Sequence, residues 1–147
     1  MSDKMAVHYS AKTTIWETPQ DLFDQLNAEF QFNLDPCALA ENAKCERYFT
    51  PEEDGLSKSW DGCRVFMNPP YGREIPVLIE KAASSKALIV CLLPARTDTR
   101  WFHDYVYGKA EIRFIKGRLK FGNAVHNCPF PCMIVVFNNL KKGAEAA

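Results

Sequence analysis

The chain has 147 residues, of which 47% are hydrophobic and 24% charged, a balance typical of one globular domain that excludes disordered and fibrous proteins. The formal net charge is zero, but residues 17–61 carry eleven acids against three bases, whereas residues 62–142 carry thirteen bases against five acids. The longest apolar run, residues 87–93, is far too short to cross a bilayer, and no apolar segment follows the N-terminus as a secretory signal would, so we expect a cytoplasmic protein.

The first predicted element is a helix that begins near Pro19. Residues 1–14 are polar and aperiodic, which predicts a flexible lead ahead of a single compact domain over residues 15–138 and a polar tail over residues 139–147. Thr18 is a suitable N-cap, and Pro19 suits the first helical position. The apolar stripe of this helix is Leu22, Phe23, Leu26 and Phe30.

Short strands and a second helix are predicted over the middle of the chain. The strands are expected at residues 31–34, 47–49 and 63–67. The helix is expected from residue 75 or 76 to about residue 84, with four side chains facing inward, Val77, Leu78, Ile79 and Ala82. The apolar run at 87–93 then has the pattern of a parallel strand that is buried on both faces.

The last third of the chain is expected to add a helix and an antiparallel hairpin. The helix begins near Asp98 and carries four large side chains, Trp101, Phe102, Tyr105 and Val106. Strands at residues 111–115 and 118–121 are joined at Gly117, and a final strand covers residues 133–137. The alternation of helices and strands predicts an α/β fold whose sheet is mostly parallel, with an antiparallel C-terminal hairpin and helices on both faces.

Two sharp breaks fall at the carboxyl ends of predicted strands, where α/β sheets bind their ligands: Asp35-Pro36-Cys37-Ala38 and Asn68-Pro69-Pro70-Tyr71. In the second break, two prolines remove backbone donors, and Pro69 pushes Asn68 toward extended geometry. The Asn68 side-chain oxygen and the Pro69 carbonyl then form a rigid cluster of acceptors. Such a cluster suits a planar substrate with an NH₂ group, on whose ring Tyr71 would stack. The alternative is a proline-rich turn with a buried tyrosine.

The motif Asn68-Pro69-Pro70-Tyr71 resembles the catalytic signature of amino-directed methyltransferases that use S-adenosylmethionine. More closely, residues 16–137 resemble the small phage and prophage DNA adenine N6-methyltransferase (Dam) family. The matching motifs occur in the family's order: Trp16-Glu17-Thr18-Pro19, Leu34-Asp35-Pro36-Cys37-Ala38, Asp54-Gly55-Leu56 with Trp60, Asn68-Pro69-Pro70-Tyr71-Gly72, Leu92-Leu93-Pro94-Ala95-Arg96-Thr97-Asp98-Thr99 with Trp101-Phe102, and Gly117-Arg118-Leu119 with Phe121.

The resemblance implies a reduced Rossmann-like methyltransferase sheet, S-adenosylmethionine as cofactor, and DNA, duplex or single-stranded, as partner. It implies four catalytic residues, Asn68, Pro69, Pro70 and Tyr71. It also implies cofactor contacts from Trp16, Thr18, Pro19, Asp35, Pro36, Cys37, Ala38 and Asp54, with Glu53 as a further acceptor. Asp35 would face the amino group of the cofactor's methionine. The alternatives are an Asp-Pro turn at Asp35, a helix cap at Thr18 and a solvated acidic face at Asp54.

The segment between the two strand-end motifs is shorter than in larger relatives. Only 33 residues separate Asp35 from Asn68, and no glycine-rich loop follows Ala38. Since one strand–helix–strand crossover takes about 30 residues or more, the sheet on the cofactor side must be cut down. Either the cofactor is held by fewer contacts or a second subunit covers it, which would make the protein a homodimer.

The basic half of the chain is predicted to contact nucleic acid. Between residues 96 and 120, seven bases are interleaved with aromatic residues, a composition that suits phosphate contacts and base stacking. The expected contacts are Arg73, Arg96, Arg100, Lys116, Arg118 and Lys120. In the alternative interpretation, the two oppositely charged regions lie side by side, and Trp101 and Phe102 belong to the core.

Six cysteines in a chain without an export signal are expected to be reduced thiols. The spacing of His126, Cys128 and Cys132 permits zinc, but no second pair of ligands follows, so we expect a buried, reduced cysteine pair and no metal.

The sequence therefore predicts direct methyl transfer from S-adenosylmethionine to the N6 amine of adenine in DNA, in a bacterial host cell if the protein is encoded by a phage or prophage. A second hypothesis keeps this chemistry and changes the acceptor to cytosine N4, RNA adenine or a protein glutamine amide. A third is a nucleic-acid-binding relative that has lost activity. The basic half argues against a neutral protein substrate but does not separate DNA from RNA.

Overall fold

A computed structural model describes residues 17–38, 43–122 and 127–140. The predicted lead and all but the first two residues of the predicted tail lie outside this part of the chain. The described residues form an α/β fold with two α-helices, α1 (Gln20–Phe30) and α2 (Ile75–Ser84). The strands of its sheet are β1 (Arg64–Met67), β2 (Leu88–Pro94), β3 (Glu111–Phe114) and β4 (Cys132–Asn138). None of its described helices has the length and apolar character that a membrane span requires.

The sheet is mixed, with strand order β1-β2-β4-β3. β1 runs parallel to β2, whereas β4 runs antiparallel to both β2 and β3. The prediction of a mostly parallel sheet is therefore wrong, since two of the three strand pairs in the described residues are antiparallel. β2 is central and all seven of its residues are buried, which confirms the buried strand predicted from the apolar run.

The predicted hairpin between residues 111–115 and 118–121 is wrong. β3 pairs with β4, and residues 118–121, which the structure describes, are not in a strand. The physical reason is the burial of Phe121, whose ring packs edge-on against Tyr71 at 6.3 Å. The segment thus covers the core instead of pairing with β3.

Helix α1 buries Phe23 and Leu26, and the ring of Phe23 packs edge-on against Phe66 of β1 at 5.2 Å. Pro19 occupies the N-cap, and α1 has no side-chain cap within the described residues, so the prediction that Thr18 caps the helix is wrong. The helix ends where Gln31 takes a left-handed conformation with φ 56°. The predicted strand at 31–34 is accordingly reduced to an isolated parallel bridge between Leu34 and Val65.

Helix α2 has the predicted bounds, and it buries Ile75, Leu78, Ile79 and Ala82. This i, i+3, i+4, i+7 pattern leaves Val77 outside the stripe and 45% exposed, so the prediction that Val77 faces inward is wrong. The side-chain nitrogen of Asn139 donates to the carbonyls at the end of α2, those of Ala82, Ala83 and Ser85. These bonds fasten α2 to the end of β4.

Two of the remaining predicted elements are shortened, and the last one is extended. The helix expected near Asp98 is a π-helical turn, Phe102–Val106, with Phe102 and Val106 buried. The strand expected at 47–49 is a single bridge between Tyr48 and Asp35. The final strand, β4, confirms the prediction at 133–137 and extends it by one residue at each end.

Candidate active site

Three segments distant in sequence meet where β1 ends. The Phe66 N–H donates to the Leu34 carbonyl at 3.0 Å, so the Asp35 loop leaves the sheet beside the last residues of β1. Asn68 follows β1 directly, and its Nδ2 donates to Thr18 Oγ1 at 2.9 Å. The structure therefore brings together the start of α1 and the two predicted strand-end motifs.

Asn68 is half-buried, and its bonding partner Thr18 is 4% exposed. Pro69 is buried and Pro70 half-buried. Neither proline has a backbone N–H, so the turn contributes carbonyl acceptors and no donors at these two positions. The hydroxyl of Thr18, which the sequence indicated as a helix cap, instead contacts the side chain of Asn68. No local pattern revealed this contact, because it joins residues 50 positions apart.

Tyr71 is in the core and only 5% exposed. Its hydroxyl donates to the Leu92 carbonyl of β2 at 3.2 Å, and its ring packs against Phe121 and Phe130, the latter at 5.6 Å. Burial, together with the neighbouring Cys132 and Cys128 thiols, raises the pKa of Tyr71 well above its ordinary value. This position differs from the predicted stacking on a base and matches the alternative of a buried tyrosine.

Asp35 is a buried carboxylate, 5% exposed, whose two oxygens accept backbone N–H groups. Oδ1 accepts from Cys37 at 3.3 Å and Oδ2 from Lys44 at 3.1 Å. Burial raises the pKa of Asp35 to about 6, while the hydrogen bonds from Lys44 and Cys37 oppose the rise. The bond to Cys37 is the Asp-Pro turn expected as the alternative. Each oxygen accepts one backbone N–H and can accept a second hydrogen bond, so these contacts do not exclude a ligand.

The Cys37 thiol lies close to acidic groups from other segments. Its pKa is raised well above the ordinary value, first by burial and then by its interaction with the titratable groups of Asp35, Cys91 and Glu74. Cys91 is in the middle of β2, and Glu74 follows the proline turn, so the two strand-end loops share one environment. Ala38, next in the chain, is buried and donates its N–H to the Phe49 carbonyl at 3.1 Å.

The Asp54 segment packs against the first strand-end loop. A Cβ on Gly55 would lie 2.4 Å from the Pro36 carbonyl oxygen, so only glycine allows this approach. The indole Nε1 of Trp60 donates to the Gly55 carbonyl at 3.0 Å and holds the turn. Asp54 precedes this contact, is exposed, and has φ 53°. In the sequence, Gly55 was noted only as part of the family motif Asp54-Gly55-Leu56 with Trp60, and no role was predicted for it.

Glu53 has a local role that differs from the predicted one. Its carboxylate accepts the backbone N–H of Thr50 at 3.0 Å and the Thr50 hydroxyl at 3.2 Å. These bonds lower the pKa of Glu53, and they form a capping arrangement at the start of a short turn. Both bonds end on Oε1, so Glu53 holds its own turn, and its role as an acceptor for the cofactor stays a prediction.

All six basic residues predicted to contact nucleic acid are exposed: Arg73, Arg96, Arg100, Lys116, Arg118 and Lys120. Two of them converge on one segment. The Arg96 guanidinium lies over the ring of Phe130 at 5.5 Å, and Arg118 donates to the Pro129 carbonyl at 3.1 Å. Phe130 in turn covers Tyr71, so these two cations border the proline turn.

Other residues of the basic half belong to the structure itself. Arg113 binds both carboxylate oxygens of Glu29 at 2.7 Å and also contacts Glu111, so the two charged halves do lie side by side here. Trp101 and Phe102 are buried, which confirms the core interpretation for both.

Cys128 and Cys132 are buried free thiols next to Tyr71. Burial raises the pKa of Cys132 to about 12. No cluster of three metal-ligating side chains occurs within the described part of the chain, and His126 lies outside it. Trp16, predicted to contact the cofactor, also lies outside the described residues.

Comparison with known proteins gives consistent matches. The sequence model described as "DNA N-6-adenine-methyltransferase (Dam)" matches residues 7–145. A protein of Haemophilus phage HP1 named DNA N-6-adenine-methyltransferase is 33% identical over 115 residues, which cover 74% of this chain and 66% of that protein. A protein of the same name from Escherichia phage T1 is 29% identical over an alignment of 154 residues including gaps, which covers 88% of this chain and 64% of that protein. The chain thus spans about two thirds of the length of these relatives.

Proposed function

Because the chain belongs to the DNA N-6-adenine-methyltransferase (Dam) family, we propose that it transfers a methyl group from S-adenosylmethionine to the exocyclic N6 amine of adenine in DNA. The observation that carries the proposal is the convergence of Asn68, held by Thr18, with the buried carboxylate of Asp35 at the end of β1. The phage origin of the similar proteins supports action in the cytoplasm of a bacterial host.

The residues of the Asp35 loop fit S-adenosylmethionine. A buried carboxylate is costly to keep ionised, and an ammonium group placed against it would offset that cost. Asp35 would therefore hold the amino group of the cofactor, with Pro36, Cys37 and Ala38 as its immediate surroundings. When bound, the cofactor supplies an electrophilic methyl group on a sulfonium.

Further candidates to hold the cofactor are Trp16, Pro19 and Asp54, whereas we assign Thr18, whose hydroxyl is bonded to Asn68, to the proline turn. The parallel pair β1–β2, with the Asp35 loop leaving beside it, is consistent with a reduced Rossmann-like sheet. The homodimer expected from the short segment between Asp35 and Asn68 stays a prediction.

The proline turn would orient the amine. The adenine N6 nitrogen is a poor nucleophile because its lone pair is delocalised into the ring. If Asn68 Oδ1 and the Pro69 carbonyl accept its two N–H bonds, the nitrogen becomes more pyramidal and its lone pair can point at the methyl group. As the bond from N6 to the methyl carbon forms, the bond from that carbon to the sulfonium sulfur breaks and leaves a neutral thioether, and the methylated nitrogen then loses one proton to solvent. Catalysis comes from orientation and from fixed acceptors, without a covalent enzyme intermediate.

In duplex DNA the adenine must leave the stack to reach this turn. Tyr71 is buried and exposes little surface on which a base could stack. We therefore assign it a structural role, in which its bond to the Leu92 carbonyl fixes the turn to β2. The half-buried ring of Phe130, which lies against Tyr71 and under Arg96, is the better placed aromatic surface for the flipped base.

Replacing Arg96 and Arg118 together by glutamine should weaken DNA binding and make it less sensitive to salt. The slope of log K against log salt concentration is negative, and each lost phosphate contact makes it shallower by about 1. The slope of the double variant should therefore be shallower by about 2. Titration of a labelled duplex at several salt concentrations measures this slope. Arg113→Gln is the matched control, because its guanidinium is already bound to Glu29 and Glu111, and it should leave the slope unchanged. An unaltered slope in the double variant would remove these two residues from the DNA interface.

The proposed function is tested by offering the protein different acceptors. Labelled S-adenosylmethionine is incubated with the protein and with duplex DNA, single-stranded DNA, RNA or protein. We expect label in DNA. Label in RNA or protein alone would overturn the assignment of the acceptor, and DNA binding without label in any acceptor would indicate an inactive relative.

A further inference from the structure

Thr18 is placed to control the side chain of Asn68. Its hydroxyl accepts the Asn68 Nδ2–H at 2.9 Å, and the residue is only 4% exposed. A threonine directly before a helix ordinarily caps it, but here α1 has no side-chain cap in the described residues, and the helix begins with the Phe23 N–H bonding to the Pro19 carbonyl. The hydroxyl thus contacts the catalytic turn instead of the helix that follows it.

The geometry points to Thr18 as a positioning residue that holds the Asn68 carboxamide in the orientation in which its oxygen would accept from the target amine; this inference rests on the proposed function. The two ends of a carboxamide are nearly equal in size but opposite in polarity, because the oxygen accepts and the nitrogen donates hydrogen bonds. A half-turn of this group would present N–H to the N–H of the adenine amine, which is repulsive. In the orientation that the structure shows, Nδ2 is bonded to Thr18, and Oδ1 is the end that would accept from the substrate.

Packing between α1 and β1 holds Thr18 and Asn68 next to each other. Pro19 has a fixed φ and starts α1, and α1 is seated on the sheet through the contact of Phe23 with Phe66 at 5.2 Å. Phe66 lies two residues before Asn68 on β1. The start of α1 is therefore fixed relative to the end of β1, which lets a single hydroxyl act over a separation of 50 residues.

Valine is nearly the same shape as threonine and lacks the hydroxyl, so Thr18→Val tests the inference, and Thr18→Ser is the matched variant that keeps the hydroxyl. We expect Thr18→Val to lower kcat by about 10-fold to 100-fold, because a misplaced catalytic group costs up to about 100-fold in rate. The Kd for S-adenosylmethionine should change little. Thr18→Ser should restore kcat to within a few-fold of the wild-type value.

A double-variant cycle separates positioning from general structural support. Adding Thr18→Val to Asn68→Ala should cause no further loss of rate, since the group that Thr18 orients is already absent. Additive losses would overturn the inference. A weaker Kd for the cofactor with unchanged kcat would also overturn it, in favour of a direct cofactor contact.

A second variant and the activity of the wild-type protein keep the test decisive. If Thr18→Val does not fold, Thr18→Ala replaces it in the same cycle, with the same expected loss and the same rescue by serine. If the wild-type protein methylates DNA and Thr18→Val or Thr18→Ala does so equally fast, the positioning role is wrong and the proposed function stands. If the wild-type protein transfers no methyl group to any acceptor, the proposed function itself fails.

Discussion

Replacing Asn68 by alanine should reduce methyl transfer by about 10²- to 10³-fold or more while S-adenosylmethionine still binds. The substitution removes an acceptor that is fixed before the substrate arrives, and losing one such group from a catalytic site costs about this much in rate. The side chain follows β1 directly and is tied to Thr18, so its orientation does not have to be established during the reaction. Alanine leaves the path of the proline turn unchanged, because Pro69 and Pro70 remain.

The measurement is a single-turnover rate on a duplex that contains the target adenine, together with the Kd for the cofactor from calorimetry. We expect the rate to fall and the Kd to stay within a few-fold of the wild-type value. Gln20→Ala, an exposed change on α1, is the control and should alter neither quantity. Undiminished transfer in Asn68→Ala would refute the proposed role of Asn68.

Replacing Asp35 by asparagine should weaken cofactor binding by about 10-fold to 100-fold. The reason is that a hydrogen bond to an ionised group contributes about 1.5–3 kcal/mol, and asparagine removes the charge while keeping the size of the side chain. Asn68 is not changed by this substitution, so the loss should appear in the Kd for the cofactor before it appears in kcat at saturating cofactor.

The pH dependence follows from the pKa of Asp35, which burial raises to about 6. In the wild-type protein, cofactor binding should be constant above about pH 7 and weaken as the pH falls below 6 and the carboxylate gains a proton. Asp35→Asn should remove this dependence. Calorimetry from pH 5 to pH 8 measures both, with the exposed Asp24→Asn as the matched control. Equal pH profiles for wild type and Asp35→Asn would exclude Asp35 from the binding of the amino group.

The same raised pKa has a consequence for stability. Because the folded-state pKa of Asp35 lies above the ordinary value of 3.8, its contribution favours folding at low pH and is lost as the pH rises through about 6. The ionised carboxylate then costs the cofactor-free protein on the order of 3 kcal/mol. Asparagine removes this cost, but its amide nitrogen cannot accept one of the two backbone N–H bonds. We therefore expect the melting temperature of Asp35→Asn at pH 8 to stay close to the wild-type value, which distinguishes weakened binding from unfolding.

The elements that the sequence predicted well are those with a strong local pattern. The continuous apolar run identified β2, and the i, i+3, i+4, i+7 spacing set the bounds of α2. The strand before Asn68 was also found, because a hydrophobic segment stops abruptly at two prolines. Such local patterns predict structure reliably because the apolar residues that form them are the residues that the core buries.

The features that the sequence did not predict depend on contacts between distant residues. Residues 118–121 have the composition of a strand, but Phe121 packs on Tyr71 and takes the segment away from β3. Thr18 has the residue type and position of a helix N-cap, but its hydroxyl accepts a hydrogen bond from Asn68. Tyr71 is typical of a stacking residue beside an acceptor cluster, yet its hydroxyl finds a buried carbonyl on β2. In each case the local sequence is compatible with two different contacts, and which one forms depends on residues that are distant in the chain.

The identity of the methylated atom decides whether the turn at the end of β1 presents the N6 amine of adenine to the methyl donor. A duplex treated with the protein and S-adenosylmethionine is digested to nucleosides, and the products are identified by mass spectrometry against standards. We expect N6-methyladenine as the product. Methyl groups found on N4 or C5 of cytosine, with adenine unmodified, would contradict it.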